Sequence, residues 1–138
     1  MAMTPLVLTD LATLRGDLSD GQQLTELVGV GAYLNQLPSN QLIAPSDWDD
    51  FPLLWRHAPN QQFLIGLDPT FLYLANPARY EAWKVLTLGE STQIPLDLAT
   101  IQADYYVVMK DHPAMYRQLK TVAKVVYEDD EAYVMQPL

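Results

Sequence analysis

Leu42-Ile43-Ala44-Pro45-Ser46-Asp47-Trp48-Asp49-Asp50-Phe51-Pro52 decides the fold, and Phe63-Leu64-Ile65-Gly66-Leu67-Asp68-Pro69-Thr70 repeats its plan. Each is a short apolar run that stops at carboxylates and a proline. An apolar run of this length reads as a buried strand. Acidic residues before a proline read as a helix start, where free N–H groups and the helix dipole favour negative charge. The two units predict strand-then-helix repeats, with Asp47, Asp49, Asp50 and Asp68 gathered at one edge of a sheet.

Working outward, the first strand covers residues 42–44 and ends at Pro45, which cannot donate to a ladder. Asp49 or Asp50 caps a short helix that runs to His57. Residues 62–67 form a nearly continuous apolar run, which predicts an internal parallel strand buried on both faces. Asp68-Pro69 and Asn76-Pro77 then start two helices, one over 69–75 and one over 77–88 that stops at Gly89. Residues 95–102 form a further helix. Tyr105-Tyr106-Val107-Val108-Met109 is the third strand, rich in aromatic and β-branched side chains. Asp111 caps a helix carrying Pro113, Met115, Leu119 and Val122. Residues 124–128 and 132–136 flank an acidic turn and read as a β-hairpin.

Upstream, Ser19-x-x-Gln22 has the form of a capping box. It opens a helix over 20–37, with Leu24, Leu27, Val28, Gly31 and Leu34 on one face and Pro38 as its stop. Residues 1–18 are a lead-in with leucines at 8, 11, 14 and 18, and Met1-Ala2-Met3 reads as an added start. Residues 19–138 then make one domain. Strands separated by helices predict an α/β three-layer sandwich with a mainly parallel sheet and a C-terminal antiparallel β-hairpin at the edge. Ligands of such sheets sit beyond the carboxyl ends of the strands, where Asp47 and Asp68 fall.

Composition narrows the function classes. A chain of 138 residues with 49% hydrophobic and 18% charged side chains can bury one core. A net charge of -9 with eight Lys plus Arg argues against nucleic acid and anionic membrane surfaces as partners, because phosphate binding needs clustered cations. The absence of cysteine removes thiol catalysis, zinc–thiolate sites and disulfides. No run approaches the roughly 20 apolar residues that span a bilayer, so the chain itself is expected to be soluble.

Candidate ligand-binding residues are Asp47, Trp48, Asp49, Asp68, Thr70 and Tyr73; no catalytic residue is assigned. Asp47-Trp48-Asp49 has the Asp-x-Asp form with which nucleotide-sugar transferases hold a divalent metal, and Asp68 joins Asp47 and Asp49 in that alternative. Helix capping accounts for the same carboxylates without a ligand. Trp48, Trp55, Tyr73, Tyr80 and Trp83 are either core or a sugar-stacking or partner surface. Arg79, four residues before Trp83, is placed for a cation–π contact. His57 and His112 read as surface or cap residues. Phosphate-cradling glycine motifs and the Gly-x-Ser-x-Gly and His-Glu-x-x-His signatures are missing.

Ser46-Asp47-Trp48-Asp49-Asp50-Phe51-Pro52, Gly66-Leu67-Asp68-Pro69-Thr70-Phe71 with Tyr73, and Val126-Tyr127-Glu128-Asp129-Asp130-Glu131-Ala132-Tyr133-Val134 carry a resemblance. Over residues 35–135 the chain resembles the C-terminal extracytoplasmic domain of bacterial polytopic membrane proteins related to lipid-linked-sugar glycosyltransferases. The resemblance implies an accessory domain that binds acceptor or caps the membrane part of the same polypeptide. It implies a glycan or lipid-linked sugar as ligand and no cofactor in this chain. The family's catalytic carboxylates are expected in the membrane part, so none falls on a residue here. Two alternatives come from the residues themselves. One is a small metal-dependent sugar- or nucleotide-sugar-active enzyme using Asp47, Asp49 and Asp68, and the other is a protein-interaction module using Tyr73, Tyr80 and Trp83.

Overall fold

The computed structural model describes residues 25–138. The lead-in, the capping box at Ser19 and the first part of the helix expected over 20–37 lie outside them. The described elements are α1 (Val28–Leu34), β1 (Leu42–Pro45), α2 (Phe51–His57), β2 (Gln62–Phe63), α3 (Thr70–Ala75) and α4 (Pro77–Leu88). Then follow α5 (Ile94–Ile101), β3 (Tyr105–Met109), α6 (Pro113–Leu119), β4 (Ala123–Glu128) and β5 (Ala132–Pro137). The five strands form one sheet in the order β2-β1-β3-β5-β4. Among the described residues no helix is long and apolar enough to cross a membrane.

Side chains alternate across the strands and build a core on each face. Ile43, Tyr105, Val107 and Val134 pack with Leu27, Val30 and Leu34 from the α1 region and Leu53 and Leu54 of α2. Ala44, Tyr106, Val108 and Met135 pack on the opposite face with Trp83 and Leu86 of α4, Ile101 of α5, and Met115 and Leu119 of α6. Helices therefore cover both faces. Gly31 of α1 is required by the contact with α2, since a Cβ there would run into His57.

The sheet is mixed, which corrects the mainly parallel sheet expected from the sequence. β1 pairs parallel with β2 and β3, whereas β5 pairs antiparallel with both β3 and β4. The C-terminal hairpin inserts its second strand beside β3 and leaves β4 at the edge, where a register shift between Val125 and Tyr127 marks a bulge.

β2 is the second correction. It is an edge strand of two residues, not an internal strand over 62–67. Gln62 and Leu64 donate to the carbonyls of Gln41 and Ile43, both at 2.9 Å. The next bond of a parallel ladder would come from the N–H of residue 45. Pro45 has none, and the strands part. Leu64 and Ile65 are buried in the core, while Leu67 is exposed.

Helix starts also differ in detail. Asp50 holds the N-cap position of α2 and His112 that of α6, displacing the expected Asp111; neither side chain makes a capping bond. α1 begins at Val28, after Leu27 adopts φ 60°, and Val28 faces solvent. α4 matches its signals: Asn76 accepts from the Arg79 N–H, and Gly89 closes the helix at φ 75°.

Candidate functional site

β1 lies between β2 and β3, so the chain leaves β1 toward one neighbour and later returns on its other side. That reversal opens a crevice at the carboxyl ends of β1 and β3, where α/β sheets bind ligands. Ser46 joins the two ends. Its N–H donates to the Val107 carbonyl at 2.8 Å, and its buried hydroxyl accepts from the Met109 N–H at 3.0 Å. The loop carrying Asp47 is thereby held beside the loop carrying Asp111 and His112.

Asp47 Oδ1 accepts from the Trp48 N–H at 2.6 Å, and Oδ2 lies 3.7 Å from His112 Nε2. His112 Nε2 is 3.8 Å from Asp111 Oδ1. Burial, followed by the charge of Asp47, raises the Asp49 carboxyl above its ordinary range. Asp50 is shifted further. Burial first, then Asp49, Asp47 and Asp111, push its pKa up to about 7, against an opposing hydrogen bond from the Asp47 backbone. Its Oδ2 is buried with no hydrogen-bond partner.

Two cavities open here. One, of about 220 Å³, is lined by Ser46, Asp47, Trp83, Lys84, Thr87, Leu88 and His112. The other, of about 300 Å³, is lined by Pro69, Thr70, Tyr73, Tyr80, Glu81 and Lys84. Lys84 belongs to both; it pairs with Glu81 at 2.7 Å and lies 5.7 Å from the Tyr80 ring centroid. Tyr73 is half-exposed and packs edge-on against Tyr80. Trp83 forms the floor: its ring is buried, and Nε1 donates to the Pro45 carbonyl at 2.9 Å.

Asp47 lines the first cavity and Thr70 and Tyr73 line the second, with Lys84 of α4 on the lining of both. Trp48 and Asp49 are exposed beside Asp47 but line neither cavity. Asp68 stands apart: its carboxylate accepts from the Thr70 N–H at 2.8 Å, which lowers its pKa, and it is not among the charges acting on Asp49 and Asp50. Among the described residues no three His, Cys, Asp or Glu side chains are placed to hold a metal ion. Arg79 donates through Nε to the Ile101 carbonyl at 2.7 Å. Lys84 and Thr87 are not singled out in the sequence, and His112 is read there only as a surface or cap residue, which its N-cap position matches. The position of His112 just after a strand was the available signal, because parallel neighbours deliver such residues to one edge.

A separate apolar groove of about 750 Å³ runs along α2, lined by Phe51, Pro52, Leu53, Trp55, Arg56, Pro59 and Leu67.

These features define a mixed α/β domain with helices on both faces and an acidic crevice at the carboxyl ends of β1 and β3. No protein-family model, curated protein or solved structure matches the chain.

Proposed function

We propose that the chain is a non-catalytic, sugar-binding accessory domain of a membrane-embedded glycosyltransferase-like protein, on the extracytoplasmic side of a bacterial membrane. The observation that carries the binding role is the sharing of Lys84 by two neighbouring cavities, which line a grooved face with Asp47 and His112 on one side of Lys84 and Thr70 and Tyr73 on the other. Such a groove suits a carbohydrate: an aromatic ring packs against its C–H face, while carboxylate, hydroxyl and ammonium groups bond its hydroxyls. The membrane partner, in the same polypeptide, rests on the resemblance of the 46–52, 66–73 and 126–134 motifs.

The test is an NMR titration of the labelled chain with a panel of neutral mono- and disaccharides. Millimolar binding with shifts at Asp47, Thr70, Tyr73 and Lys84 is expected. Tyr73→Ala should weaken it about five- to tenfold, the worth of one aromatic contact. Unchanged spectra with every sugar of the panel would sink the proposal, as would turnover of a sugar substrate by the purified chain.

A further inference from the structure

Asp50 is the least explained side chain of the crevice. It is 5% exposed, and its Oδ2 is buried without a donor. Asp47 and Asp49 face it from its own loop, and Asp111 faces it from the loop after β3. His112 lies close to Asp47 and Asp111 and acts on Asp49, but it is not among the groups acting on Asp50. An ionised carboxylate in this place would leave Oδ2 without a donor and meet three like charges, set against the one hydrogen bond from the Asp47 backbone, so the protonated form is favoured. The loop that carries it is tethered to the sheet mainly at one end, through Ser46. At the other end it runs into α2, where the Leu54 N–H donates to the Asp50 carbonyl at 3.0 Å.

We propose that residues 46–50 form a proton-operated latch: protonated Asp50 holds the loop against the sheet edge, and its ionisation releases the loop and the Asp47 side of the groove. The regulatory consequence rests on the sugar-binding role proposed above, but the latch itself does not. Its direction follows from proton linkage. Asp50 holds its proton up to about pH 7 in the closed loop and, once in water, only to about pH 4. Opening therefore releases a proton, becomes more favourable as pH rises from about 4 to about 7, and levels off above that.

Hydrogen exchange of the free, full chain, corrected for the intrinsic effect of pH on chemical exchange, tests this without any ligand. Protection of the amides at 47–51 should fall at least about tenfold between about pH 5 and about pH 7, while those of β3 and α4 hold theirs. In Asp50→Asn the fall should vanish. In Asp111→Asn, which removes one repelling charge at an exposed position, it should move to lower pH. Equal pH profiles in wild type and Asp50→Asn, an unmoved profile in Asp111→Asn, or a loss spread evenly over β3 would overturn the latch. A latch confirmed by exchange in a chain that binds no sugar would separate the two proposals.

Discussion

Asp50 and Asp68 show how much the surroundings of one residue type decide. Both precede a helix, and the same capping rule applies to each. Asp68 is exposed and bonded to the Thr70 N–H, so its charge is favoured. Asp50 is enclosed beside other carboxylates, so its charge is opposed. Trp83 gives a sharper test at this scale. Its indole N–H satisfies the Pro45 carbonyl, which β2 has left without a strand partner. Trp83→Phe keeps an aromatic ring but leaves a buried acceptor unpaired. A loss of about 1–3 kcal/mol is expected, read as a lower urea midpoint at unchanged slope. A midpoint shift worth less than about 0.5 kcal/mol would show that the bond matters little.

At the scale of elements, Pro45 sets the length of β2. Pro45→Val would supply the missing N–H on the side facing the Leu64 carbonyl. The amide at position 45 should then exchange slowly and β2 should lengthen, with a gain of up to about 1 kcal/mol. Fast exchange at that position would mean that another constraint parts the strands. This dependence on a neighbour explains why β2 could not be read from its own apolar run. α4 could be, because Asn76-Pro77 and Gly89 act within the helix that they bound. β3 and the hairpin were also legible, their β-branched and aromatic runs being flanked by turn residues. The helix expected over 20–37 includes α1, but the left-handed Leu27 interrupts the pattern at a point that no propensity marks.

At the scale of the molecule, the crevice was only half legible. Asp47 could be placed at a strand end, but its approach to His112 depends on strand order, which local sequence does not encode. The apolar groove along α2 is likewise a product of assembly. Residues 51–78 carry only Arg56 and Asp68 as charged side chains, in a chain of net charge -9. Trp55, Leu67, Phe71 and Leu74 stand exposed in that region. Trp55, 57% exposed, adds little to the core. Trp55→Ser should leave stability within about 0.5 kcal/mol while reducing the binding of a fluorescent apolar dye; a larger loss would show that the ring braces α2. The sheet margins bear on what so apolar a surface does in a concentrated solution. β2 is only two residues long at one margin, and the irregularity between Val125 and Tyr127 breaks the run of β4 at the other. Neither margin offers a long regular template for a foreign strand, so the fold guards against fibrous stacking even though its flank is sticky.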